Sequence, residues 1–448
     1  MARTWIRNPA AVWTGSDVSA PGGLVIDGDR IDACLEMGAE PAEPVDHIFD
    51  ATDQVVLPGL VNCHHHFYQT LTRAFPEALN QPLFPWRKAL YPVWAGLDLE
   101  AVEVSTELAL AELMLSGCTL ASDHHYLFTD KIADAIDVQV SVAERLGVRV
   151  TLTRGSMSLG ESDGGLPPDQ VVQSPEAILS ESERLIADYH DASEAAMVQI
   201  ALAPCSPFSV TPVLMRERAA LARHHGVRLN THHAETEDEN AFCLEQFGQR
   251  PLDYLESLDW LADDVWLAHG IHFDRSEIER LGRAATAISH CPSSNMVLAS
   301  GICPALDLED AGSPIGLGVD GSASNDASNM IGEVRQAFLL QRLRSGAEAI
   351  THDVALRWAT SGGAAVLGRG ALGQLAPGHL ADLGCYRLDA LRFSGAADPG
   401  AALLLCGAHQ VSDLMVGGEW RVQGSELVGT DLEALRARHT AASKRLSA

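Results

Sequence analysis

The chain has 448 residues, 46% of them hydrophobic, and 60 Asp and Glu outnumber 31 Lys and Arg to give a formal net charge of −29. That length suits one large domain with a smaller one beside it. The acidity argues against nucleic acid, which favours basic patches, and against anionic membrane surfaces. Nine cysteines are scattered, their number is odd, and no C-x-x-C pair occurs. This pattern points to reduced thiols in a cytoplasm and not to a disulfide framework. Met1 to Ala10 holds no long apolar stretch, so no signal peptide is expected. No apolar run approaches the roughly 18 residues needed to cross a bilayer.

Residues 1–58 read as short strands broken by turns. Gly23-Leu24-Val25-Ile26-Asp27-Gly28-Asp29 is a strand meeting a turn. The apolar run Val55-Val56-Leu57-Pro58-Gly59-Leu60-Val61 then leads into Asn62-Cys63-His64-His65-His66. Side chains alternate along a strand, so His64 and His66 point the same way. Two imidazoles on one face at a strand's end are half of a metal site. The other half recurs downstream in the same setting. Val227-Arg228-Leu229-Asn230-Thr231 runs into His232, and Ile315-Gly316-Leu317-Gly318-Val319 runs into Asp320. Three His and one Asp suit one catalytic divalent ion, Zn²⁺ first, with Fe²⁺ or Mn²⁺ as alternatives.

Between residues 59 and 370, apolar runs alternate with helical patterns, as in Leu99 to Leu115. Eight strands are expected, ending near His64/His66, Asp123, Arg154, Cys205, His232, His269, His290 and Asp320. Eight strand–helix units fit a (β/α)8 TIM-type barrel, an α/β fold whose chemistry gathers at the C-terminal ends of its strands. An open doubly wound sheet would cluster its ligands at one switch point, and no Gly-rich phosphate fingerprint supports it. From residue 371 strand-and-turn texture returns around Val411 to Val422, and a last helix covers roughly Asp431 to Arg445. The expected division is therefore 1–58 plus 371–448 as a small β-sandwich domain and 59–370 as the catalytic barrel.

Five stretches carry a family resemblance: Pro58-Gly59-Leu60-Val61-Asn62-Cys63-His64-His65-His66, Thr231-His232-His233-Ala234-Glu235-Thr236, Ala268-His269-Gly270, His290-Cys291-Pro292-Ser293-Ser294-Asn295 and Gly318-Val319-Asp320-Gly321. With these the chain resembles the amidohydrolase-superfamily deaminases, in the branch holding guanine, cytosine and S-adenosylhomocysteine deaminases and the triazine hydrolases. Gly378-His379-Leu380-Ala381-Asp382-Leu383 resembles the family's return into its terminal sandwich. Within the branch the likeness is to 8-oxoguanine deaminases. It runs through His66-Phe67-Tyr68-Gln69-Thr70-Leu71-Thr72-Arg73, Leu83-Phe84-Pro85-Trp86, Asp123-His124-His125-Tyr126-Leu127-Phe128, Arg154-Gly155-Ser156-Met157-Ser158 and Ala203-Pro204-Cys205-Ser206-Pro207-Phe208-Ser209. The resemblance implies hydrolytic deamination of an oxidised purine, 8-oxoguanine to urate and ammonia. Its alternatives are a pterin, guanine or a hydroxytriazine.

The resemblance also implies roles. His64, His66, His232 and Asp320 would ligate the metal, while His65 should face the opposite side. His233 competes with His232, and the spacing to Glu235 favours His232. Glu235 would shuttle protons, although it opens an acidic run that is ordinarily solvated surface. His269, with Asp320, would hold the attacking water or the substrate. His290 would either orient the site or support it from behind. Gln69 stands where guanine deaminases carry an amide that meets the purine edge, and an amide offers a donor and an acceptor together. Cys205 stands where guanine deaminases carry an Arg. Trp86 and Phe84 would cover a flat ring, and Arg154 and His125 are further polar candidates. A two-metal branch built on a carboxylated lysine is excluded: the only lysines are Lys88, Lys131 and Lys444. A small heterocyclic substrate, a cytoplasmic homo-oligomer, and no nucleic-acid or membrane partner complete the expectation.

Overall fold

The computed structural model describes residues 2–448. Eight parallel strands close a barrel: β1 (Leu60–Asn62), β2 (Cys118–His125), β3 (Arg149–Ser156), β4 (Val198–Pro204), β5 (Leu229–His233), β6 (Val265–His269), β7 (Ala287–His290) and β8 (Ile315–Leu317). Neighbours in the chain are neighbours in the barrel, and Leu317 of β8 pairs with Asn62 of β1 to close it. The strands are buried on both faces, which is why they read as apolar runs without alternation. All eight expected strand ends are found, and the α/β barrel fold is the observed one.

Local chemistry sets the crossover helices. Ser174 and Thr211 cap the starts of Pro175–Tyr189 and Pro212–His225, each accepting from a first-turn backbone N–H. Pro fills the first helical position in both, where its missing N–H costs nothing. Asp274 and Glu277 form a reciprocal capping box at the start of Arg275–Arg283.

The apolar run at 55–61 is not one strand but two. Gln54–Pro58 pairs antiparallel with Leu383–Arg387 in a sheet outside the barrel, and β1 begins at Leu60. The break falls at Gly59, where a Cβ would lie 2.1 Å from Thr119 Oγ1 on β2. Only glycine lets the chain pass that close, so Gly59 delivers the run from one sheet to the other.

Two sheets lie outside the barrel. One has four strands, Arg3–Arg7, Gly23–Asp27, Arg30–Leu35 and His47–Asp50. The other has six, Ala11–Val12, Gln54–Pro58, Leu383–Arg387, Asp413–Val416, Glu419–Gln423 and Glu426–Leu427. Ile6, Leu24, Ile26 and Ile31 of the first share an apolar core with Val56, Leu383 and Met415 of the second. The final helix is Leu432–Leu446, one residue later than expected at each end, because Asp431 serves as its cap by accepting from Ala434 N. It packs beside Leu99–Leu115 and touches the short 3₁₀ segment Phe67–Thr72, where Ser443 Oγ donates to Leu71 O at 2.7 Å. That segment carries Gln69.

A buried ion pair joins barrel and terminal sheets. Arg149, at the start of β3, meets Asp382 with Nε–Oδ2 at 3.0 Å and Nη2–Oδ1 at 3.1 Å, and both side chains are buried. Removing one partner of a buried pair strands the other charge, at a typical cost of about 3–5 kcal/mol. Asp382→Ala is therefore expected to lower the melting temperature clearly. Asp389→Ala, which breaks the exposed pair with Arg387, should leave it nearly unchanged. Equal melting temperatures for the two variants would contradict this role for Asp382.

Candidate metal centre and active site

Four side chains converge at the C-terminal end of the barrel. His64 and His66 follow β1, His232 lies in β5, and Asp320 follows β8. His66 Nε2 is 3.1 Å from His232 Nε2, and Asp320 Oδ1 is 3.4 Å from His64 Nε2 and 3.3 Å from His66 Nε2. All four are buried.

Backbone carbonyls orient two of the rings. His66 Nδ1–H donates to His124 O at 2.7 Å, and His232 Nδ1–H donates to Cys205 O at 2.6 Å. Each Nε2 of these neutral rings then carries a lone pair. Burial pushes the pKa values of His64, His66 and His232 down, so their rings stay neutral, as metal ligands must. Burial alone would raise the Asp320 carboxyl. The surrounding imidazoles of His64, His269 and His66 hold it well below the usual range.

The donor set fits a divalent cation. Neutral rings leave two lone pairs facing each other across 3.1 Å with no proton to share. Neither ring nitrogen of His64 has a partner. Ligands about 2.0–2.1 Å from an ion lie at most about 4 Å apart, and the gaps here are within that limit. His64, His66 and Asp320 group as potential ligands, and so do His64, His124 and His232. His124 stacks on His232 with ring centroids 4.6 Å apart and commits Nε2 to Ala203 O.

Backbone conformation contributes as well. His269 and Asp320 have φ of 73° and 63°, and Ala234 has φ of 52°. Left-handed backbone at a non-glycine residue costs on the order of 1–3 kcal/mol and clusters at functional sites. Here it falls just where β5, β6 and β8 end. The turn at Ala234 is buttressed by Glu239, which accepts from Ala234 N at 2.9 Å and Glu235 N at 3.3 Å.

A small cavity opens beside the cluster, lined by His66, Gln69, Leu83, Trp86, Arg87, Tyr126, His232, Glu235, His269, Leu298, Asp320 and Ser324. Glu235 is not solvated surface: it is 2% exposed, while Glu237 two residues on reaches solvent. Its Oε2 lies 3.7 Å from His269 Nε2 and 3.6 Å from Arg87 Nη2. Burial raises the Glu235 pKa against the opposing pull of His269 and Arg87. His269 Nδ1–H donates to Asn295 Oδ1 at 2.9 Å, which leaves Nε2 facing the two carboxylates. Ser294 Oγ donates to Asp320 Oδ2 at 2.6 Å, and Gly321 N donates to Oδ1 at 2.7 Å. Gln69 is 1% exposed and both of its amide atoms lack a partner. Trp86 is held at the wall by its Nε1 bond to Ala323 O at 3.1 Å.

Other candidate residues lie elsewhere. Strand alternation turns His233 away from the cluster, with Nδ1 3.2 Å from Glu239 Oε1. His65 likewise stays off the cavity wall, its Nδ1 accepting from His66 N. Arg154 does not line the cavity. It stacks over Phe128 with Cζ 3.9 Å from the ring centre and donates to Gln173 Oε1. Cys205 sits behind His232 and presents its carbonyl to that ring, with Sγ 4.0 Å from Nδ1. His290 is fully buried at the end of β7, off the cavity wall, with both ring nitrogens unpartnered. Burial and the charge of His269 lower its pKa to about 3. Phe84 packs on Phe208, and His125 on Tyr68 and Phe128. Sequence reasoning missed Arg87, Tyr126 and Ser324. Arg87 directly follows Trp86, the last residue of a stretch already singled out, and that adjacency was the available signal.

A profile of the Amidohydrolase family matches residues 55–404, which takes in the whole barrel and every cavity-lining residue. The chain belongs to the amidohydrolase family. It is 62% identical to the 8-oxoguanine deaminase of Pseudomonas aeruginosa over 448 residues, covering 100% of both chains. It is 37% identical to an isoxanthopterin deaminase from an unknown prokaryotic organism over 459 residues, covering 96% of this chain and 95% of that one. In structure it matches a zinc-complexed atrazine chlorohydrolase from Arthrobacter aurescens with a TM-score of 0.93 at 32% identity, covering 98% of this chain and 100% of that one. The amidohydrolase fold and the buried donor set make this a metal-dependent hydrolase, with zinc the ion they suit.

Protein purified without chelator is expected to carry one tightly held divalent ion per chain, and His232→Ala should lose most of it. Metal analysis checks both. Two ions per chain in fully active protein, or an unchanged metal content in His232→Ala, would contradict the assignment.

Proposed function

We propose that this chain hydrolyses 8-oxoguanine at C2, giving urate and ammonia. Full-length identity of 62% to a deaminase of that substrate carries the reading. The site supplies suitable parts. His64, His66, His232 and Asp320 would hold the zinc ion, which when bound supplies Lewis acidity and lowers the pKa of a water to about 7.

The remaining chemistry belongs to side chains. Asp320 and His269 Nε2 face the cavity together and orient the attacking water. Glu235, kept protonatable by burial, gives a proton to the ring nitrogen beside C2 as C2 becomes tetrahedral. The exocyclic amine then takes a proton relayed by Asp320 or Glu235 and leaves as ammonia. One water enters and one ammonia departs, so 8-oxoguanine becomes urate. Gln69 offers an acceptor for N1–H and a donor for the C6 carbonyl, which fits its two unpartnered amide atoms. Trp86 closes one side of the ring slot.

The same reading divides the chain into a catalytic barrel, 59–370, and a small β-sandwich domain, 1–58 plus 371–448. In support, every cavity-lining side chain lies between His66 and Ser324. It also makes the protein a cytoplasmic homo-oligomer with no nucleic-acid partner, a reading the net charge of −29 favours on the last point. Among the described residues no helix is long and apolar enough to cross a membrane.

Ammonia release across 8-oxoguanine, guanine, isoxanthopterin and a hydroxytriazine tests the substrate. The highest kcat/KM is expected on 8-oxoguanine. A preference for the pterin or the triazine would replace the purine reading and leave the hydrolytic chemistry in place. Glu235→Gln is expected to cut kcat by at least about 10²-fold with metal content intact, in keeping with general acid–base catalysis. Activity within tenfold of wild type would remove Glu235 from the proton path.

A further inference from the structure

We infer that Arg87 binds the C8 carbonyl of the substrate and so selects the oxidised purine over guanine. The inference rests on the oxopurine reading above and deepens it.

Arg87 lies on the helix Leu83–Trp94, is 3% exposed and lines the cavity. A buried guanidinium is costly unless its charge and donors are met. The fold meets them only in part. Nη2 is 3.6 Å from Glu235 Oε2, and no other carboxylate lies within 4.0 Å among the described residues. Cζ lies 5.0 Å from the Phe208 ring centre, which steadies the charge from one face. Nε and Nη1 have no hydrogen-bond partner. The Tyr91 hydroxyl also lacks one. Donors are thus held ready beside the proton-carrying carboxyl with nothing in the protein to receive them.

The chemistry of the ligand decides which atom receives them. A guanidinium only donates. Gln69 takes the N1–H and C6 carbonyl edge, so Glu235 serves N3, the other ring neighbour of C2. Continuing round the ring from N3, the next polar groups are N9 and C8. In 8-oxoguanine both N7 and N9 carry hydrogen, and the C8 carbonyl is the only acceptor on the five-membered ring. Guanine has a C–H at that place. A charge-assisted bond to O8 therefore exists only for the oxidised base. Cys205 at the end of β4 does not provide this contact: its carbonyl is taken up by His232. The cation comes from the helix over the barrel mouth instead.

The experiment compares kcat/KM on 8-oxoguanine and on guanine for wild type, Arg87→Met and Arg87→Lys, each with metal content and circular dichroism recorded. Arg87→Met is expected to reduce the ratio of the two constants roughly 10- to 100-fold, the scale of a lost charged hydrogen bond. Arg87→Lys, which keeps a cation but loses the planar fork, should fall between it and wild type. A ratio unchanged from wild type, or equal losses on both purines, overturns the inference. So does loss of metal or of helical signal in both variants, which would make Arg87 a structural residue. The parent reading is tested by wild type alone: no ammonia from 8-oxoguanine sinks it. A wild type that turns over 8-oxoguanine while the Arg87 variants keep its ratio sinks only the role of Arg87.

Discussion

The structure turns on imidazole nitrogens and a carboxylate forced together inside a dry barrel end. His66 and His232 bring their Nε2 atoms to 3.1 Å, and Asp320 approaches His64 and His66 within 3.4 Å. Lone pairs so close repel unless a cation lies among them, and buried polar atoms without partners are costly. The rest of the barrel end serves that convergence. Carbonyls of His124 and Cys205 fix two tautomers, Ser294 and Gly321 hold the carboxylate, and the left-handed backbone at Asp320 aims it inward.

The second constraint is the division of labour between two acids. Asp320 is held low by surrounding imidazoles, whereas burial pushes Glu235 up. Two carboxyl groups in one cavity with opposite shifts can act as ligand and proton carrier side by side. His269 faces both, 3.7 Å from Glu235 and 3.9 Å from Asp320. Arg87 adds a fixed positive charge 3.6 Å from Glu235.

Much of this was legible in the sequence. Fully buried parallel strands read as apolar runs, and each ends in a polar residue at the barrel mouth, which is why eight strand ends could be counted from Asn62 to Asp320. Period-two alternation separated His64 from His65, and the spacing to Glu235 favoured His232 over His233. Other features were not legible. The run from Val55 to Val61 serves two sheets, and periodicity does not say which sheet a strand joins; Gly59 was the clue, and its meaning depends on Thr119 across the gap. Arg154 and Cys205 close their strands as the ligands do, yet one turns to Phe128 and the other backs His232. Strand-end position alone does not settle that direction. Arg87 sits on the helix Leu83–Trp94, where reach over the barrel mouth is set by tertiary packing, so adjacency to Trp86 was its one local signal.

Hydrolysis in ¹⁸O-water, followed by mass spectrometry of the product, tests the central claim most directly. Attack of water on C2 of 8-oxoguanine predicts urate with one ¹⁸O atom, located at the C2 carbonyl, and one ammonia per urate. Unlabelled urate, label at C6 or C8, or consumption of substrate without urate would contradict aminohydrolysis at C2.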